Sequence, residues 1–206
     1  MLTLLLLGVF IACVVLLGAI GGLWDNLLTW VNLLLAGLIT MNFFEPAADW
    51  LDATLGSKYY WYTDLLAFWG IFAAAIGLLR AFTDAISSVR VKFRKPVEIA
   101  GSYFFALLCG WQMLCITTTG LHLAPLEVNS FSGAFQEKPD SVNFFGFGPD
   151  QTFLGFTQKM SKPDTGPLAI DDKHIFDQDG LFRLNYGLKR YRFEQLPGDT
   201  GKSPVE

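Results

Sequence analysis

The 206-residue sequence predicts an all-α membrane protein: four transmembrane helices followed by a small, irregular extramembrane C-terminal tail. Three observations predict it. Hydrophobic residues make up 52% of the chain, and its mean hydropathy is positive, at +0.38. Charged residues reach only 17%, against about 25% in an ordinary soluble domain. The deficit is also uneven: residues 1–120 hold six Lys/Arg and seven Asp/Glu, whereas 121–206 hold nine and twelve. The change of regime puts a membrane domain over 1–125 and a polar tail over 126–206.

The four apolar segments are Leu2–Ile20, Leu27–Phe44, Tyr62–Phe82 and Ile99–Thr119. Each matches the roughly 17–25 residues that a helix needs to cross the hydrocarbon core. None carries the polar stripe at 3.6-residue spacing that a soluble core helix would show. No Lys or Arg precedes the first segment and no A-x-A pattern follows it, so it reads as a spanning helix rather than a removed signal peptide. Phe10–Cys13 faintly resembles a lipoprotein cleavage box but lacks the basic start.

Orientation rests on the link between the third and fourth segments. Arg80–Lys95 holds five of the six basic residues of the first 120 positions. Short basic loops stay in the cytoplasm, so Arg90, Lys92, Arg94 and Lys95 put this link inside and both termini outside. Phe82, Ile86, Val89 and Phe93 share one helical face, which predicts a helix continuing from the third span along the inner leaflet, its cations on lipid headgroups. Pro96 then fits a first helical turn. Aromatic residues mark the borders: Trp24 and Trp30 at the inner side, and Trp50, Tyr59, Tyr60, Trp61 and Tyr62 in an outer loop over 45–61. Trp69 and Trp111 lie deeper, as packing residues.

The stretch from Leu121 on carries seven of the nine prolines. Gln151–Met160 reads as a short helix with Asp150 as its N-cap, and Leu181–Gln195 as a second helix ended by Pro197 and Gly198. Phe144, Phe145, Phe147, Phe153 and Phe156 are too many for a wholly disordered linker. A small unit resting on the outer surface is expected. Phe176–Gly180 resembles part of a calcium loop, but Ile175 and Tyr186 stand where ligands belong, so it reads as a turn, with Asp177 or Asp179 free to cap a helix.

Polar residues inside spans mark functional contacts by default. Asn32, Asn42, Asp64, Arg80 and Gln112 are in this position. Asp64 and Arg80 are about 24 Å apart along one helix and cannot pair. Asn42, Gln112, Asp64 and Thr117–Thr119 share a depth toward the outer side, as either an outward polar cluster or helix–helix hydrogen bonds. Small residues four apart (Gly8/Ala12, Gly18/Gly22, Gly70/Ala74, Ala73/Gly77 and Ala106/Gly110) support a compact bundle or an oligomer.

No phosphate-binding loop, G-x-S-x-G or H-E-x-x-H occurs. Cys13, Cys109 and Cys115 lie in apolar runs, as packing residues, and His122 and His174 stand apart. Neither an enzyme activity nor a cofactor nor a metal is expected. A basic nucleic-acid face is absent. The expected partners are the lipid bilayer and either a second copy or other membrane proteins.

The front of the chain resembles the colicin V production (CvpA) family of integral membrane proteins. The residues that carry the resemblance are Gly18 to Gly22 (GAIGG), the Leu-rich span 27–40, and Phe44 to Leu51 (FEPAADWL). Members commonly show G-x-x-x-G after the first span and an A-P-P-L-A-x-x-L-like end after the second. The third span ending at Arg80 and the basic link to Gly101 are also similar, so the likeness covers about residues 1–125. Two departures stand out: Ile20 and Gly21 replace basic residues of the first inner turn, and Phe105 interrupts the glycine series of the fourth span. The resemblance implies a bacterial inner-membrane protein that supports toxin production or secretion, or envelope homeostasis, without enzymatic chemistry. A small oligomeric channel or transporter subunit is the other expectation.

Overall fold

The computed structural model describes residues 2–55, 59–87, 91, 93–126, 130–133, 146–163, 166 and 175–195. Among them are seven helices and no strand: α1 (Leu2–Ile20), α2 (Leu23–Leu55), α3 (Tyr60–Ile86), α4 (Lys95–Leu123), α5 (Ser130–Gly133), α6 (Pro149–Ser161) and α7 (Phe182–Glu194). By length and composition α1 to α4 can each cross a membrane. Short connections make successive helices antiparallel. One end of the bundle gathers the α1–α2 turn and the α3–α4 link; the other gathers Leu2, Trp61, His122 and the tail helices.

The central helix is α4, which packs on α1 and α2 and also meets α3, α6 and α7, while α2 packs on α3 as well. Leu33, Met41 and Phe44 from α2, Phe68 and Phe72 from α3, and Cys109, Cys115 and Ile116 from α4 form the main core. Trp69 and Trp111 pack against it, as their depth predicts. Phe153 and Leu154 from α6 and Phe182 from α7 belong to the same cluster, so the tail shares a core with the bundle. The ring of Phe44 meets both Phe68 and Phe182 edge-on, with centroids 6.0 and 6.3 Å away.

The helices outrun the apolar segments. The expected outer loop over 45–61 is largely helix, because α2 continues to Leu55 through Pro46. Leu23–Phe44 alone covers about 33 Å, enough for the hydrocarbon core. Glu45, Asp49 and Asp52 stand in the turns beyond it. Trp61, expected as a border residue, turns inward against Phe193 instead.

The expected inner-leaflet helix over 82–93 is not observed in the described residues. Helix α3 ends at Ile86, capped by the Ser87 N–H on the Thr83 carbonyl, and Val91, Phe93 and Arg94 are non-helical. Val89, Arg90 and Lys92 lie outside the described residues. The competing element is the start of α4. Glu98 accepts the Phe93 N–H at 3.1 Å and the Leu23 N–H at 3.0 Å, folding the link back over the start of α2.

That acid fastens two helix starts at once. Leu23 N–H is one of the first-turn donors that a helix cannot satisfy itself. A carboxylate there also meets the positive end of the helix dipole. The contact needs close approach: a Cβ on Gly22 would lie 2.6 Å from the Glu98 carboxylate, and one on Gly101 would collide with Leu23. Replacing Glu98 with Ala is expected to destabilise the bundle by about 1–2 kcal/mol through loss of this cap. A lower thermal unfolding midpoint in detergent, with Glu98→Gln between the two, is the measurement that checks it.

Candidate functional site

Two polar clusters hold the ends of the bundle. At the first end Asn26 is buried, and its Nδ2 donates toward the Leu17 carbonyl (3.1 Å), the Ser102 carbonyl (3.1 Å) and Ser102 Oγ (3.0 Å). Two hydrogens serve three acceptors, so one bond is shared. Ser102 Oγ donates onward to the Gly21 carbonyl at 2.8 Å. Cys109 Sγ points at the Asn26 carbonyl from 3.6 Å. One amide thereby ties α1, α2 and α4 together. Asn32 does the same for α3, with Nδ2 donating to Thr83 Oγ1 at 3.0 Å. Arg80 reaches Thr29 Oγ1 at 3.0 Å and pairs with Asp84 at 3.2 Å. Trp24 Nε1 donates to Ser87 Oγ at 2.8 Å.

At the second end, α6 and α7 dock through charge. His122 and Asp150 are buried, with His122 Nε2 3.0 Å from Asp150 Oδ2. Arg183 Nε lies 3.3 Å from the same oxygen, and Arg190 donates to the His122 carbonyl at 3.2 Å. Lys189 pairs with Asp64 and stands 4.4 Å above the Tyr60 ring. Burial alone would raise the Asp150 carboxyl. The His122 hydrogen bond, the charges of His122 and Arg183 and the Gln151 N–H outweigh it and hold Asp150 below the ordinary carboxylate range. Burial, with the nearby Asp64 and Glu45 carboxylates, pushes the Tyr186 phenol above its usual value.

The tail helices form largely where the sequence predicts them, with one exchange of roles. Asp150 is not an N-cap: Gly148 takes that place with φ 52°, and Asp150 turns into the junction with His122. The reason is that Pro149 already fits the first helical position and has no N–H to cap. Asp177 does cap α7, accepting the Phe182 N–H at 2.9 Å, and Gln158 Nε2 donates to its carbonyl. The turn at 176–180 is therefore structural.

The intramembrane residues singled out in the sequence separate. Asp64 is spent on Lys189. Gln112 is buried, and its Nε2 has no hydrogen-bond partner among the described residues. Asn42 is exposed on the outward side of α2 and, among the described residues, donates only to the Leu38 carbonyl of its own helix, at 2.8 Å. Thr118 and Thr119 bond back to their own helix. No shared polar cluster joins them. Arg94 and Lys95 are exposed at the first end, and Arg90, Lys92 and His174 lie outside the described residues.

The small-residue pairs divide too. Gly18 closes on Tyr103, and Gly110 on Phe10 and Val14, so these bring α1 against α4. Gly8, Gly70 and Gly77 face open space.

A cavity of about 330 Å³ lies beside the docked α7, lined by Glu45, Asp49, Asp64, Asn185, Tyr186 and Lys189. Among the described residues no group of three His, Cys, Asp or Glu side chains could hold a metal ion. What the second end offers chemically is ionic docking of a polar surface onto an apolar bundle.

Replacing Asp150 with Ala leaves His122 and Arg183 facing one another without their anion. The expected cost is about 3–5 kcal/mol, read as faster proteolysis of the tail and a lower unfolding midpoint. A depressed carboxyl also has a sign: Asp150 contributes fully above its unfolded value of about 3.9 and loses that contribution as pH falls through its lower folded value. The Asp150 contribution to tail docking should therefore be intact above about pH 4 and lost progressively below it. Gln112→Leu should be neutral or stabilising by about 1 kcal/mol, because it removes a buried Nε2 that has no partner among the described residues.

No protein-family model matches the chain, and neither does any curated protein or solved structure.

Proposed function

We propose that the protein is a non-enzymatic multi-pass protein of the bacterial inner (cytoplasmic) membrane, of the colicin V production type, supporting toxin production or secretion, or envelope homeostasis. The observation that carries this reading is the docked tail. Helices α6 and α7 are fixed to one end of the bundle by Asp150 and Lys189 and by Phe153 and Phe182, which makes that end a formed polar surface. The basic link with Arg94 and Lys95 lies at the other end. By the positive-inside rule the link is cytoplasmic, and the amino terminus and tail are extracytoplasmic. A fixed platform on that side suits the holding of a membrane or envelope partner.

The acidic cavity favours a second reading, a subunit of a small oligomeric channel or transporter. Glu45, Asp49 and Asp64 against the single Lys189 would concentrate cations at a membrane mouth.

Purification from membranes in mild detergent separates the two. The first reading expects a stoichiometric envelope partner that is lost in the Asp150→Ala chain, with no ion conductance in liposomes. Conductance by the purified chain, reduced by Glu45→Gln with Asp49→Asn, would instead establish the second.

A further inference from the structure

Asn42 stands in the apolar stretch of α2, yet it points away from the bundle. Three asparagines lie along this helix, and the other two define what such residues do here. Asn26 is buried against Ser102 and Leu17, and Asn32 against Thr83. Each bonds a neighbouring helix. Asn42 is exposed and uses one N–H on the Leu38 carbonyl, and its second N–H and its Oδ1 have no partner among the described residues.

The backbone adds a third open group at the same place. Pro46 lies inside α2, four residues on. Proline has no N–H, so the Asn42 carbonyl loses the donor that a helix would supply. One residue therefore presents a side-chain acceptor, a side-chain donor and a released carbonyl. Hydrocarbon satisfies none of them. Leu35, Ile39 and Phe43 flank it as exposed apolar residues, so the surrounding face can pack on another helix.

We propose that this face of α2 is the contact surface for a second copy of the chain, with the two Asn42 side chains paired across a two-fold axis along the membrane normal. The choice of occupant follows from depth and complementarity. Copies inserted with one topology place their Asn42 residues at one depth, with no adjustment. An amide with a donor and an acceptor both open is complementary to itself. A different membrane protein would need a matching polar group at that same level. The inference rests on α2 crossing a bilayer, and not on the colicin V reading.

The test uses the full chain in mild detergent, with mass determined by light scattering over a range of protein-to-detergent ratios. The wild-type chain should be dimeric at high ratio. Asn42→Leu should weaken dimerisation on the order of tenfold, as expected for two interhelical hydrogen bonds, and Asn42→Gln should restore most of it. Disulfide trapping in membranes guards against misfolding of the leucine variant. In a chain whose three native cysteines are replaced by alanine, Asn42→Cys should cross-link to a dimer on oxidation, and Leu66→Cys on the outward face of α3 should not. A wild-type chain that is monomeric at every ratio, or bound only to a different protein, would overturn the proposal. So would dimerisation equal in Asn42→Leu and wild type, or lost in Gly77→Leu alone, which would place the contact on α3.

Discussion

Hydrocarbon offers no hydrogen bond, and this one constraint governs how the buried asparagines of the bundle are used. Its clearest expression is the Asn26 amide, shared between α1 and α4 and relayed through Ser102 to the α1–α2 turn. Burial of apolar surface cannot drive helices together within lipid, since lipid tails are as apolar as leucine. Close packing and a few directed bonds must set the register instead. Asn26 and Asn32 supply those bonds, and Gly18, Gly101 and Gly110 supply the close approach.

The two ends obey different rules because they meet different surroundings. The first end is closed mainly by amide, indole and hydroxyl donors on carbonyls and hydroxyls, with Glu98 covering the start of α2. The second is closed by charge, with Asp150, His122, Arg183 and Arg190 meeting beneath the tail helices. Buried ionic junctions of this kind contribute little net stability but are costly to break on one side. They favour one docked arrangement of the tail over many.

The four spans were legible because long apolar runs have one physical solution in this setting, and α1 matches its predicted segment residue for residue. The ends of the others were not. Helix α2 runs eleven residues past Phe44 because a helix interior tolerates Pro46 here, and an apolar count stops at the first acid. The expected amphipathic helix after Ile86 had a sound face in sequence, but the cap made by Glu98 75 residues from Leu23 outweighs it, and no local pattern reports that. The docking site at the second end was the least legible part. His122 reads as isolated and Asp150 as a cap, since their pairing joins residues 28 apart in sequence on two different helices, with no shared motif. Asn42 was visible as a polar residue in an apolar run, but only the fold shows that it faces away from its own bundle.

The central claim is that the tail helices and the membrane bundle form one body, joined at Asp150. Amide hydrogen exchange of the full chain in lipid nanodiscs tests it most directly. The account predicts that Phe153–Thr157 of α6 and Phe182–Arg190 of α7 exchange slowly, together with the end of α4 around His122. Exchange of α6 and α7 at the rate of an unstructured peptide, with α4 still protected, would contradict it.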